Sequence, residues 1–208
     1  SKVGREGAYY YCTGQLVCSA QLKGAIEHFA SKHSLAIEGL GKKTVAQLVD
    51  EGLVRSLADL YRLTKTDLVR LEGFADRSAT LLLESIAASK TVSLDRFLMG
   101  LGIRQVGQHI AKVLAREFGS LEEIMTADRE RFQQIREIGP EISESLVVYW
   151  SEPHNREVIA QLRESGVQIA PGMARSDREK SPLAGKTFVF TGGLDHFTRN
   201  GAQEAVEA

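Results

Sequence analysis

The chain has 208 residues, 43% of them hydrophobic, and a net charge of −1 from 26 Lys/Arg against 27 Asp/Glu. That is enough for one ordinary domain with a buried core plus smaller pieces, and too little positive charge to hold a polyanion by bulk attraction. No apolar run approaches the ~18 residues of a membrane span, no charged start leads into an apolar core as in a signal peptide, and two cysteines make no disulfide framework, so a cytoplasmic protein with no membrane partner is expected.

Residues 1–18 are rich in Gly and Tyr and contain both cysteines, Cys12 and Cys18. A closed zinc site needs four ligands, commonly at Cys-x₂₋₄-Cys spacing. The spacing here is wider, which leaves half a metal site or two free thiols; His28 and His33 read as packed or solvated residues of the following helix. From Ser19 to about Ser165 the pattern is helical, with Leu22, Ala25, Ile26, Phe29 and Ala30 on one face and Ala79, Leu82, Leu83 and Ile86 on another. Thr64 with Asp67 and Ser120 with Glu123 have the spacing of helix-start capping pairs, and Pro140 suits a first helical turn. Trp150, after Ile142, Leu146 and Val147, reads as core. Gly166 ends the pattern, 166–182 read as a polar linker, and within 183–208 the run Lys186–Thr191 before Gly192-Gly193 reads as a strand entering a turn. The fold expected is mainly α, with an incomplete α/β segment at 183–208.

A repeat runs through the helical part. The phrases Gly39-Leu40-Gly41, Gly73-Phe74-Ala75, Gln105-Val106-Gly107 and Glu137-Ile138-Gly139 follow one another at a nearly constant period. Two periods on, Ser56, Leu57, Leu60, Leu68, Leu71 and Phe74 are matched without a gap by Ser120, Leu121, Ile124, Phe132, Ile135 and Ile138. Leu35, Ile37, Leu40, Val45 and Leu48 are matched in the same way by Leu101, Ile103, Val106, Ala111 and Leu114. A fixed period means an architecture built from repeats, here four units in two pairs.

Glycine lets the chain turn tightly and presents bare amides. At the start of the next helix those amides lack intrahelical partners and meet the positive end of the dipole, a natural seat for phosphate. Gly39, Gly41, Gly73, Gly107 and Gly139 are the candidate backbone contacts, with Lys42, Lys43, Arg77, Arg104 and His109 beside them. Leu40, Phe74, Val106 and Ile138 should point inward. Such contacts hold the phosphate backbone without reading bases. Glu137 sets a carboxylate near any phosphate, which makes unit four the weakest contact expected. The bland alternative is helix C-caps and tight turns in a bundle, but generic caps have no reason to keep both turn and phase through four copies.

The segments Leu35-Ala-Ile-Glu-Gly-Leu-Gly41, Leu71-Glu-Gly-Phe74 with Arg77-Ser-Ala79, and Leu101-Gly-Ile-Arg-Gln-Val-Gly107 resemble the helix-hairpin-helix region of bacterial NAD-dependent DNA ligases. The resemblance implies four hairpins in two pairs gripping nicked double-stranded DNA, in a monomeric enzyme that joins strands in replication and repair using NAD and Mg²⁺. It also implies that Cys12 and Cys18, before Ala20-Gln-Leu-Lys23, are two ligands of a four-cysteine zinc site whose other pair lies upstream, and that 183–208 begin a BRCT domain. The family's nucleophilic lysine lies in Lys-x-Asp-Gly, which this chain does not contain. No catalytic residue is therefore expected here, and NAD and Mg²⁺ bind outside this segment. A hairpin module of an excision-repair or junction-binding protein, or a helical protein-interaction module, are the other readings.

Overall fold

The computed structural model describes the backbone of residues 3–6, 9–12 and 19–172, with single positions 189 and 201, and side chains from Gln21 onward. Strands β1 (Val3–Glu6) and β2 (Tyr9–Cys12) form an antiparallel ladder with Val3 opposite Cys12. The expected strand at Lys186–Thr191 and the expected zinc ligand Cys18 lie outside the described residues, as does the side chain of Cys12.

Two helical pairs follow. In the first, α1 (Ser19–Phe29) and α2 (Lys42–Asp50) flank the first hairpin; a 3₁₀ turn (Leu57–Arg62) and α3 (Lys65–Leu68) lead through the second hairpin into α4 (Asp76–Ala88). In the second, α5 (Leu94–Gly100) and α6 (Gln108–Phe118) flank hairpin three, while α7 (Leu121–Thr126) and α8 (Arg129–Gln133) lead through hairpin four into α9 (Pro140–Ser151). α10 (Pro153–Glu164) then packs both on α9 and on the 3₁₀ turn of the first pair.

The helix starts are written in the side chains. Thr64 Oγ1 accepts from the Asp67 amide at 3.3 Å and Asp67 Oδ2 accepts from the Thr64 amide at 2.9 Å, so two otherwise unpartnered donors are met reciprocally. The Thr64 hydroxyl and amide together hold the Asp67 carboxyl below its ordinary range. Ser120 caps α7 by accepting from the Glu123 amide. Asp128 caps α8 by accepting from the Arg131 amide at 2.8 Å.

The pairs share one core. Phe29, Phe97 and Phe132 are fully buried, with Leu48, Leu57, Leu68, Leu98 and Leu114 among them; each such side chain contributes roughly 1.5–3 kcal/mol through lost apolar hydration. Trp150 is 2% exposed, as expected of a core residue. The two pairs meet closely where α5 crosses the turn after α1. A Cβ on Gly100 would collide with Ser34 Oγ and stand 3.0 Å from Leu35 and 3.2 Å from Phe29. Around this crossing Arg96 Nε donates to the Ser34 carbonyl at 2.7 Å and His28 Nε2 lies 2.7 Å from the Met99 carbonyl. His28 is thus a packed residue.

Two short strands depart from the helix and linker expected of these stretches. β3 (Thr91–Ser93), between the pairs, is bonded in parallel to β4 (Gln168–Ala170), with Val92 opposite Ile169. Val167 is buried, and the Gly172 amide donates to the Gly119 carbonyl at 2.9 Å. Residues 166–172, read from composition as the start of a linker, therefore belong to the folded body. The reason is long-range pairing with residues 91–93, which local composition cannot report.

Candidate nucleic-acid interface

Each repeated phrase ends on the N-cap of a long helix. Gly41, Ala75, Gly107 and Gly139 cap α2, α4, α6 and α9 with extended backbone, φ −76°, −124°, −87° and −79°. None of the four caps bonds the helix through its own side chain. The central residues do turn inward: Leu40, Val106 and Ile138 are buried, and Phe74 is half-buried against the core.

The two outer positions of the phrase have different duties. At the first, the backbone is left-handed in hairpins one to three, φ +90° at Gly39, +83° at Gly73 and +63° at Gln105, but not at Glu137 in hairpin four. L side chains rarely adopt this region, so Gly39 and Gly73 answer a conformational demand. Gln105 accepts the same bend without being glycine, and its Nε2 donates to Glu141 Oε2 at 3.3 Å. At the third position the demand is absent. Gly41, Gly107 and Gly139 lie outside the left-handed region, and a Cβ built on any of them meets nothing within 4 Å. Neither the turn nor the packing within the chain requires glycine there.

The four helix starts are not equivalent. α2 and α6 have no acid in the first turn, whereas α4 opens on Asp76 and α9 on Pro140-Glu141. A carboxylate in the first turn already complements the dipole, and proline has no N–H to offer. Lys65 pairs with Asp76 at 2.7 Å and holds that carboxyl below its ordinary range. Hairpins one and three are therefore the two best built for an anion, equivalent in the doubled repeat and alike in geometry. Gly73 and Gly139, proposed on sequence beside them, belong to the two less suited hairpins.

Of the cations, Lys42 and Arg77 are exposed and meet no acid within ion-pair distance among the described residues. Arg104 is exposed beside hairpin three. Lys43 and His109 are engaged across their pairs: Lys43 Nζ stands 3.5 Å from Glu72 Oε1, and His109 Nε2 stands 2.5 Å from Glu137 Oε2. Arg116 also reaches Glu137, at 3.3 Å. His109, and after it Arg116, hold the Glu137 carboxyl below its usual range. The acids Glu72 and Glu137 are residues of the interface that spacing alone did not single out as partners of these cations. Among the described residues no three or more His, Cys, Asp or Glu cluster as metal ligands, and no helix is long and apolar enough to cross a membrane.

Residues 32–88 match the family model for a SAM-like helix-hairpin-helix tandem, and residues 96–159 match that for the helix-hairpin-helix motif. The chain carries helix-hairpin-helix motifs. The matched stretches are the two pairs seen in the fold. The chain is 48% identical over 193 residues to a protein named DNA ligase from Syntrophotalea carbinolica, covering 93% of this chain and 28% of that protein. It is 45% identical over 202 residues to a protein named DNA ligase from Nitrosococcus oceani, covering 97% and 30%. The chain spans less than a third of the length of these curated relatives.

Proposed function

We propose that this chain holds duplex DNA by its phosphate backbone, without base selectivity, as the helix-hairpin-helix part of a DNA ligase. The observation that carries the reading is the bare third position of the hairpins: Gly41 and Gly107 leave the first turns of α2 and α6 open to solvent although nothing inside the protein calls for glycine there. A ligand that must approach main-chain nitrogens closely accounts for this, and phosphate at a helix start is that ligand. The similarity to proteins named DNA ligase supports the same assignment.

The finer reading is a monomeric NAD-dependent enzyme of the bacterial cytoplasm, closing nicks in replication and repair, with NAD and Mg²⁺ acting outside this segment. In this reading the chain contributes grip and orientation and no catalytic group. Cys12 and Cys18 are two thiolates of the four that a closed zinc site requires, so zinc here would need a further pair. Residues 183–208 are assigned to the start of a BRCT domain.

Fluorescence anisotropy of a labelled nicked duplex, titrated at two salt concentrations, tests the assignment. Affinity should fall steeply as salt rises, because each phosphate contact releases counterions. Undetectable binding at low salt would overturn it. Mixed with NAD and Mg²⁺, the chain alone should gain no adenylyl group by mass spectrometry.

A further inference from the structure

The repeat places a lysine and a histidine in equivalent positions, the second residue of α2 and of α6. In both cases an acid from the neighbouring hairpin has reached them first. Lys43 faces Glu72, which precedes Gly73, and His109 faces Glu137, the first residue of its own hairpin phrase. The two acids come from neighbouring positions of the repeat, since Arg136 is the counterpart of Glu72 in the second pair and Glu137 is the counterpart of Gly73. The same cross-pair contact is thus made twice by different acids, while Lys42, next to Lys43, meets no acid among the described residues.

The surroundings give these acids a definite role. Both ion pairs are exposed, with side-chain exposures of 73% and 83% for Lys43 and Glu72, and 74% and 38% for His109 and Glu137. They add little to stability in that setting. Each sits at the mouth of a helix start that offers free amides, so a phosphate arriving there competes with a carboxylate for the same lysine or histidine nitrogen. Glu137 is also held from behind by Arg116 at 3.3 Å, which keeps it in place after His109 turns away.

We propose that Glu72 and Glu137 are internal competitors for the phosphate, which lower duplex affinity at hairpins one and three and keep the complex exchangeable. This rests on the duplex-binding reading above and goes beyond it, because it assigns a function to acids that binding itself would rather be without. On arrival of DNA Lys43 and His109 change partner, leaving Glu72 to water and Glu137 to Arg116, so each contact gains less than a free lysine or histidine would give.

The test uses the whole chain, with Glu72→Gln, Glu137→Gln, His109→Gln and the double variant Glu137→Gln/His109→Gln. Glu164→Gln, an exposed acid at the end of α10, reports the effect of removing one charge elsewhere. Labelled duplex is titrated by anisotropy, and thermal melts confirm that each variant is folded. Glu72→Gln and Glu137→Gln should each tighten binding by about twofold to fivefold, the small effect expected of an exposed ion pair. Glu164→Gln should change it less. In the His109→Gln background the gain from Glu137→Gln should fall by at least about half, the signature of a coupled pair. An equal gain in both backgrounds, or a gain no larger than that of Glu164→Gln, means bulk charge alone and overturns the proposal. Wild-type binding with no change in the acid variants also overturns it while leaving duplex binding standing. No binding by the wild type overturns both.

Discussion

Gly39 and Gln105 occupy the same left-handed bend, φ +90° and +63°, at equivalent places in hairpins one and three. One position of the phrase answers to backbone conformation and the other, Gly41 or Gly107, to the space outside. The two can be separated by substitution. Gly39→Ala should cost about 1–2 kcal/mol in thermal or denaturant unfolding, because alanine is forced into the left-handed region. The new Cβ also comes within 3.4 Å of Leu82 Cδ1.

Gly107→Ser should behave oppositely. Serine is as good an N-cap as glycine or better, so stability should hold within about 0.5 kcal/mol or rise. Its hydroxyl, however, would bond the first-turn amide that a phosphate would take. Duplex affinity by anisotropy should fall; unchanged affinity would show that the α6 amides are not part of the interface.

Lys42 and Lys43 are adjacent yet differently committed. Lys42→Ala should reduce the slope of log affinity against log salt by about 1, with no change in sequence preference. Lys43→Ala should reduce it by less, since Glu72 already shares that charge. Equal reductions would mean that the Lys43–Glu72 pair does not persist in solution.

The Thr64–Asp67 capping pair carries a pH signature. Asp67 is held below its ordinary range in the folded chain by the Thr64 hydroxyl and amide. As pH falls, the unfolded chain takes up this proton first, so the contribution is complete above the ordinary carboxylate range and is lost as pH drops through the folded value. Thr64→Ala should cost about 1 kcal/mol at neutral pH. The gap between wild type and Asp67→Ala, measured by urea unfolding, should narrow on acidification; a constant gap from neutral to strongly acidic pH would remove the carboxylate from the account.

Where α5 crosses the turn after α1, Gly100→Ala should destabilise by about 1–3 kcal/mol through overpacking, despite alanine's better helix propensity. The buried Ser34 hydroxyl, which donates to the Arg96 carbonyl, is the nearest obstacle. Ser34→Ala combined with Gly100→Ala should recover part of the loss, a coupling read from the four-way comparison of melts.

Much of this was legible in the sequence because it is local. Apolar spacing put Leu40, Val106 and Ile138 inward, the hydroxyl-to-acid spacing placed the starts at Thr64 and Ser120, and the doubled period matches the two pairs. The missing pieces are those in which a partner lies far along the chain. Thr91-Val-Ser93 and Gln168-Ile-Ala170 are too short to announce a strand, and become one only by meeting each other. Gln105 carries no glycine signal, yet it bends as Gly39 does. The pairing of Lys43 with Glu72 and of His109 with Glu137 depends on how neighbouring hairpins lie side by side, which spacing within one hairpin does not encode.

The β3–β4 ladder also sets an order of events. As the polypeptide emerges during synthesis, the first pair can collapse around Phe29 and Leu48 early, but the stretch that joins it to the second must wait for Gln168 before its backbone finds a mate. Closure of this ladder, unlike the crossing of α5 over the turn after α1, is thus deferred until nearly the whole described body has been made.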